Sequence, residues 1–421
     1  MNNEAVVEKL GTLTGTLGLR RTESIPSPSA MLEGILNTEC ALVKADNLKA
    51  LSALYLQGEI KIDFCYIDPP YNTGGTFVYD DKRKIDRGGL WGRHEDWMSF
   101  MLPRLTLAHS LLRDDGIIAI SIDDYEYAHL KIMMDTIFEE ENYIATLIVC
   151  RSKNGKGGRA NVAVNHEYVL VYGKTPGALL HGIAENDAEK YDREDEHGRF
   201  TIDGLFRKKG DASLREDRPN LFYPLYYSQD GSVYADKVSD HLHEVFPMDS
   251  KGVERRWLWG QDKARAESWK LYASKGGVIY VKNYNSDSKR VKIRSIFDKL
   301  GYLTDKATTE IKEIYGDKVF ETPKPMELIK DLIECCCAKD AVILDFFAGT
   351  GTTAHAAYEL NRTTNAYRKT VLVEHPHPVS LSHMAGKNGF ETTADITEFR
   401  LKKIRKDDPG FKYSVHSIDE S

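Results

Sequence analysis

Two apolar runs in this chain end in turns suited to chemistry, and they lie far apart. Ile62–Ile67 (IDFCYI) stops at Asp68-Pro69-Pro70-Tyr71, and Ala341–Phe347 (AVILDFF) runs into Ala348-Gly349-Thr350-Gly351. Continuous apolar runs of this length fit strands buried on both faces, as in a parallel sheet covered by helices. Proline must end the first run, and glycine lets the second turn tightly. In an open parallel sheet the carboxyl ends of strands border one crevice, where ligands bind. The pair of turns therefore predicts an α/β chain, doubly wound around a mostly parallel sheet, with both turns at one edge.

The rest of the pattern agrees. Residues 36–150 alternate strand-like and helix-like stretches: Cys40–Lys44, Leu48–Leu56, Ile62–Ile67, Trp97–Leu112 with a bend at Pro103, Gly116–Ile122 and Tyr125–Phe138. From about residue 319 the alternation returns with Met326–Cys335, Ala341–Phe347, Thr352–Asn361 and Thr370–Val373. Short links between such elements imply parallel strands and right-handed crossovers. Residues 151–318 differ, with Gly/Lys/Asn-rich stretches, charge-dense turns and short aromatic strands such as Tyr168–Tyr172. One α/β domain is thus expected in two halves, 36–150 and 319–405. An irregular, β-containing insert at 151–318 separates them, with an N-terminal arm at 1–35 and a frayed polar tail at 406–421.

Composition narrows the function classes. With 421 residues, 41% hydrophobic and 29% charged, the chain can bury a large core. It has no apolar run long enough to span a bilayer and no signal-peptide pattern, so a cytoplasmic protein is expected. Cys335, Cys336 and Cys337 are adjacent and no C-x-x-C pair occurs, so reduced thiols and no metal site are expected. The net charge of −7 is uneven: residues 151–300 hold 27 basic against 22 acidic side chains, the remainder 30 against 42. A mildly basic middle is compatible with a nucleic-acid-binding insert.

The second turn points to a nucleoside. Gly349 and Gly351 let backbone approach a ligand, and the helix starting near Thr352 presents free N–H groups. Glu374 closes the next strand, where a carboxylate can bond both hydroxyls of a ribose. Ala354 stands where a dinucleotide fingerprint has its third glycine, which favours a mononucleoside ligand. A plain tight turn is the bland alternative.

The first turn points to an amine. The Asp68 carboxylate and the Pro69 carbonyl can both accept hydrogen bonds from one amino group, Pro70 stiffens the loop, and Tyr71 offers a flat face to a base. An exocyclic amine is a poor nucleophile because its lone pair is conjugated with the ring. Two acceptors on its hydrogens favour a tetrahedral nitrogen with the lone pair aimed at a donor, so catalysis is mostly positioning and electrostatics.

These segments resemble the amino-group DNA methyltransferases. IDFCYIDPPYNTGG precedes ILDFFAGTGTTAHA with an insert between, which resembles the β-class arrangement, and within it the modification subunits of type III restriction systems. KADNLKAL, LLRDDGIIAISIDDYEYAHLK, VNHEYVLVYGK, ERRWLWG and VFETPKPMELI extend the resemblance over about residues 36–405. It implies a Rossmann-like methyltransferase sheet, S-adenosylmethionine as methyl donor, double-stranded DNA as substrate, N6 of adenine as acceptor and the insert as target-recognition domain. It further implies that Phe347, Gly349 and Gly351 line the methionine part of the cofactor beside Asp345. Glu374 would hold the ribose, Asp46 the adenine amino group, and Lys324-Pro325 would close the pocket. A homodimer and a helicase-nuclease restriction subunit are implied partners. KADN replaces the commoner GDN at Asp46, and the chain is shorter than typical type III modification subunits, as a trimmed insert would make it. His166-Glu167 is read as structural.

Within the insert, Arg151/Lys153/Lys156/Arg159, Arg207/Lys208/Lys209 and Arg255/Arg256 are candidate phosphate contacts, whereas Tyr223, Tyr226, Tyr227, Trp257 and Trp259 read as core. Three rivals stand beside the adenine reading: methylation of cytosine N4, of a protein glutamine, or a non-catalytic DNA-specificity subunit. Aspartate first in the turn argues against the first, and the order of the two turns against the second. Their intact residues argue against the third.

Overall fold

The computed structural model describes residues 33–35, 37–58, 60–74, 92–154, 161–184, 191–284 and 290–418. Most of the arm at 1–35, together with Lys156 and Arg159, lies outside the described residues. Two compact units emerge: 1–183 with 292–421, and Ala184–Val291.

The first unit is built on a nine-stranded sheet. Its elements in chain order are β1 (Cys40–Lys44), α1 (Asn47–Gln57), β2 (Ile62–Ile67), α2 (Glu95–Leu111), β3 (Leu112–Ile122), α3 (Tyr127–Phe138), β4 (Tyr143–Cys150) and β5 (His166–Gly173). After the second unit come β6 (Ile296–Phe297), α4 (Thr304–Tyr315), α5 (Met326–Cys336), β7 (Val342–Asp345), α6 (Thr352–Thr364), β8 (Lys369–Glu374), α7 (Thr393–Asp407) and β9 (Tyr413–Ser417). The strand order is β6-β4-β5-β3-β2-β7-β8-β1-β9. All the pairings are parallel except those of β5, which runs antiparallel to both β3 and β4.

Helices cover both faces, which is why the central strands are apolar throughout. On one face Leu51 and Leu54 of α1, Met101 and Leu105 of α2 and Met134 of α3 pack on Cys65, Ile67, Ile118 and Ile120. On the other, Leu328 and Leu332 of α5 and Ala356, Ala357 and Leu360 of α6 pack on Phe64, Tyr66 and Ile343. The α2 helix continues through Pro103. The chain leaves β2 towards β3 on one side and β7 towards β8 on the other. Because β2 and β7 are parallel neighbours, with Ile343 opposite Phe64 and Leu344 opposite Cys65, their carboxyl ends lie side by side where the winding reverses.

The second unit is narrower than the insert expected at 151–318. Its core gathers Phe206, Leu225, Trp257 and Leu271, with Tyr223 buried among them and Trp259 packed alongside. Antiparallel strands surround it in a three-stranded and a four-stranded sheet. Two stretches expected within the insert belong to the first unit instead. β5 completes the central sheet, burying Val169, Leu170 and Val171, and α4 buries Ala307 and packs Ile311 and Tyr315 against Phe320 and Ile396. The expectation of a frayed tail fails at β9, which pairs in parallel with β1 from Cys40↔Tyr413 to Lys44↔Ser417. An edge strand half-exposed to water needs few apolar residues, and Phe411 anchors its approach from the core.

Candidate active site

Both strand-end turns open into one cavity of about 320 Å³, within the range of about 300–1,000 Å³ usual for small-molecule sites. Asp46, Asp68, Pro70, Lys324, Asp345, Phe347, Gly349 and Glu374, all singled out in the sequence, line it. Pro69 is buried beneath its turn, Pro325 sits at the start of α5, and Gly351 occupies the N-cap of α6.

The glycine turn is held from several sides. Gly349 has φ 52° and Gly351 φ 75°, left-handed values that favour glycine. The Gly349 N–H donates to Glu374 Oε2 at 2.7 Å, and Thr397 Oγ1 donates to the Gly349 carbonyl at 2.5 Å. Asp345 turns inward, accepting from Thr353 Oγ1 at 2.5 Å and the Phe347 N–H at 3.1 Å. Burial pushes the Asp345 carboxyl up to about 7 against the pull of those two donors. It pushes Glu374 up to about 8, the Gly349 N–H opposing. Asp46 caps α1 by accepting from the Leu48 and Lys49 N–H groups at 2.9 and 3.1 Å, and its second oxygen takes Arg104 Nη2 at 3.0 Å. The buried Arg104 also bonds Asn47, which in turn donates to the Phe346 carbonyl at 2.9 Å, tying α1 to the end of β7.

At the other turn, Trp97 Nε1 of α2 donates to the Pro70 carbonyl at 2.7 Å. Asn72 has φ 56° and donates to the buried Glu126 at 2.6 Å. His94 and His129 approach the same carboxylate at 2.8 and 3.2 Å, their rings stacked 3.8 Å apart with planes 19° from parallel. Ring lone pairs lie in the ring plane, so two stacked imidazoles do not converge on one ion. This cluster is a carboxylate hub that holds the loop behind Tyr71.

Asp68 sits in a charged knot. The Tyr71 hydroxyl donates to Asp68 Oδ1 at 2.8 Å, with Glu167 Oε2 3.3 Å away. Lys324 Nζ lies 2.7 Å from the Tyr71 oxygen, 3.1 Å from Asp68 Oδ1 and 3.1 Å from Glu167 Oε2. Its ammonium stands 4.9 Å from the centre of the Tyr71 ring. Burial raises the Asp68 carboxyl above its ordinary value, with Lys324 pulling the other way. Burial works against the Lys324 ammonium, but Asp68 and Glu167 together outweigh it and its pKa stands above the usual lysine value. Tyr71 keeps its proton, pushed far up by burial and both carboxylates.

Sequence reasoning missed Glu167 here. The signal was the reversed strand: β5 runs against its neighbours, so its first residues, not its last, reach the crevice edge. Among the candidate phosphate contacts, Arg151 lies 3.6 Å from Glu167 and Lys153 is exposed. Arg255 is engaged by Asp249 and Ser213 at 2.9 and 2.8 Å, and Arg256 by the carbonyl of Ala212 at 2.6 Å.

A profile of the DNA methylase family of N6 and N4 methyltransferases matches residues 62–370. Type II methyltransferase M.KpnI of Klebsiella pneumoniae is 52% identical over 91% of both chains. The Mod subunit of the type III restriction-modification enzyme EcoPI, from Escherichia phage P1, is 32% identical over 91% of this chain and 66% of that subunit. Among solved structures, the cytosine-N4-specific PvuII DNA methyltransferase aligns with 90% of this chain and 95% of its own, at 10% identity and a TM-score of 0.43. Since the family profile takes in both strand-end turns and well over half of the sequence, this chain belongs to the N6/N4 DNA methylases, for which S-adenosylmethionine is the methyl donor.

Proposed function

We propose that this protein methylates the N6 amino group of adenine at a specific site in double-stranded DNA, as the modification enzyme of a restriction-modification system. The observation that carries the reading is the shared cavity, which brings the Asp68 carboxylate and the Gly349–Glu374 pair to one crevice. The residues fit the cofactor. The left-handed glycine turn leaves backbone bare, Glu374 offers a second carboxylate oxygen to ribose hydroxyls, and Phe347 supplies an apolar wall. S-adenosylmethionine, when bound there, supplies an electrophilic methyl group on a sulfonium.

The target base is hidden within the duplex stack and must be turned out into the site. Tyr71 receives its face. Asp68 and the Pro69 carbonyl take the two amine hydrogens, draw the nitrogen lone pair out of conjugation and aim it at the methyl carbon. The N–C bond would form as the methyl–sulfur bond breaks, its electron pair leaving with sulfur as a neutral thioether. Positive charge then grows on nitrogen beside the Asp68 carboxylate, which takes the surplus proton. Water is kept out by Phe100, Phe320 and Phe347 along the wall. The high identity with a type II methyltransferase over nearly all of both chains supports an enzyme of that kind. A second copy of this chain is its proposed partner, and the 32% identity with a type III Mod subunit supports a restriction subunit as the alternative.

Purified protein, genomic DNA and S-adenosylmethionine test this directly, with the product read by single-molecule sequencing and nucleoside digestion. N6-methyladenine at one recurrent sequence is expected, lost in Asp68→Ala while cofactor and duplex binding persist, because the loss is specific to the transition state. N4-methylcytosine as the sole product, or Asp68→Ala turning over like wild type, would overturn the reading.

A further inference from the structure

Asp68 shares its end of the crevice with a second, deeper carboxylate. Glu167 is 3% exposed, against 25% for the Asp68 side chain, and the ammonium of Lys324 lies 3.1 Å from each. Lys324 is itself only 11% exposed, so solvent does little to soften its charge.

On the function proposed above, this lysine poses a problem. Asp68 must accept an N–H from the target amine and then face the positive charge growing on that nitrogen. An ammonium within hydrogen-bond reach of the same Asp68 oxygen competes for the acceptor and repels the growing charge. In a site this little exposed, such a charge is screened less than it would be in water. If Lys324 paired with Asp68 alone, the two would cancel and the turn would have no net charge to offer.

Glu167 changes that sum. We propose that Glu167 is a positioning residue for methyl transfer: it holds the Lys324 ammonium as a neutral pair, so that Asp68 keeps its negative charge and its free acceptor for the target amine. When the base arrives, the lysine exchanges its shared contact with Asp68 for a closer one with Glu167, and the Tyr71 hydroxyl has Glu167 Oε2, 3.3 Å away, as an alternative acceptor. Arg151 Nε reaches the same Glu167 Oε2, but at 3.6 Å against 3.1 Å for Lys324, and with its side chain more than a third exposed against 11%, so the lysine is the closer and less solvated of the two cations on that oxygen. The architecture supports the assignment. β5 is reversed relative to its neighbours in the sheet, with Glu167 opposite Val149 of β4 and the next residue, Tyr168, opposite Ile122 of β3, so the carboxylate is carried by a paired strand and not by a loop.

The test uses the full-length protein, duplex DNA bearing its target site and S-adenosylmethionine, with steady-state kinetics, cofactor calorimetry and DNA affinity measured in parallel. Glu167→Gln keeps the shape and removes the charge. Its kcat should fall about 100-fold, the scale of removing one organised electrostatic interaction. Its KM for DNA and its cofactor affinity should stay within about threefold of wild type, since the loss belongs to the transition state. Adding Lys324→Met to Glu167→Gln should restore about tenfold of the lost kcat, because the unpaired ammonium is then gone; coupling of this size is usual for charges that touch. Lys324→Gln serves in the same role if melting shows that Met unsettles the fold. A purely structural Glu167 predicts the reverse, a double variant no faster than Glu167→Gln. That result in a folded, ligand-binding protein, or wild-type kcat in Glu167→Gln, overturns the inference. Wild-type protein that transfers no methyl group to DNA would instead defeat the functional reading beneath it.

Discussion

Glu374 holds a proton that its proposed ligand would have to displace. Burial lifts its carboxyl to about 8, and ribose hydroxyls bond best to an ionised carboxylate. Cofactor affinity is therefore expected to rise between about pH 6 and about pH 8 and to level off above, by at most about tenfold per pH unit for a single proton. Calorimetry in buffers of differing ionisation heat should detect proton release near pH 7. Affinity that is flat across this range would remove Glu374 from the ribose. In the ligand-free protein the sign is opposite. Asp345 and Glu374 have folded-state values of about 7 and about 8, far above those of an unfolded chain, so the native state binds protons that the unfolded chain has released. Their contribution is full at low pH and is lost as pH rises through those values, so the melting temperature without cofactor should decline towards pH 8. Tyr71 offers a second check at this scale. Tyr71→Ala should weaken the flipped-base complex by about 1–3 kcal/mol of lost stacking. Tyr71→Phe keeps the ring and loses the hydroxyl bond to Asp68, so in gel-shift measurements it should bind DNA more nearly like wild type.

Glycine at 351 shows how an element depends on one dihedral. Gly351 caps α6 at φ 75°, and a Cβ there would stand 3.2 Å from Thr397 Cγ2 and 3.8 Å from Arg400 Cδ. Gly351→Asp is expected to cost about 1–2 kcal/mol in backbone strain alone and to displace the turn that meets the cofactor. Calorimetry should show at least a tenfold loss of affinity, roughly what 1.4 kcal/mol amounts to. Wild-type affinity in a folded Gly351→Asp protein would refute the placement. At Gly349 a Cβ meets Phe320 only at 3.5 Å, an ordinary approach, so there the constraint is the dihedral and not the space. The elements bearing these turns were legible in the sequence because buried parallel strands are written as unbroken apolar runs. IDFCYI is a strand over the very residues expected, and the expected AVILDFF strand is trimmed to Val342–Asp345 because the chain must turn at Phe346. β9 was not legible, since an edge strand such as YSVHS has one wet face and no long apolar signature. Glu167 was not either, because periodicity cannot tell that β5 runs backwards.

Over the whole molecule, the sequence showed that an insert exists but not where it starts. Its expected margins, around 151–183 and 292–318, carry apolar residues that the central sheet and its helices claim. The fold also revises which cations are worth testing against DNA. Arg255 and Arg256 are bound internally, so reversing them would disturb the second unit itself. Lys153 and Lys209 are exposed and suit the test better. The double variant Lys153→Glu/Lys209→Glu should lower the slope of log affinity against log salt by about 2, close to one for each phosphate no longer neutralised. Cofactor binding should be unaffected. Anisotropy titrations across a salt series that return an unchanged slope would place the DNA elsewhere.

The adjacency of β2 and β7 has a consequence in time. The ribosome emits Ile67 long before Val342, and at roughly 5–20 residues per second the wait is on the order of tens of seconds. Throughout it, the side of β2 that will pair with β7 is an open, apolar edge, the kind that invites mispairing with other chains. The nascent N-terminal half can form β1, β2 and β3 as segments, yet the partner that separates β1 from β2 in the finished sheet does not exist until β7 and β8 have been made. Nothing resembling the crevice can close on an incomplete chain, and pairings this distant in sequence are slow to form. Partial products of synthesis would therefore carry no methyltransferase activity. Methyl transfer would begin only with the first fully threaded molecules, and a late-synthesised strand sets that clock.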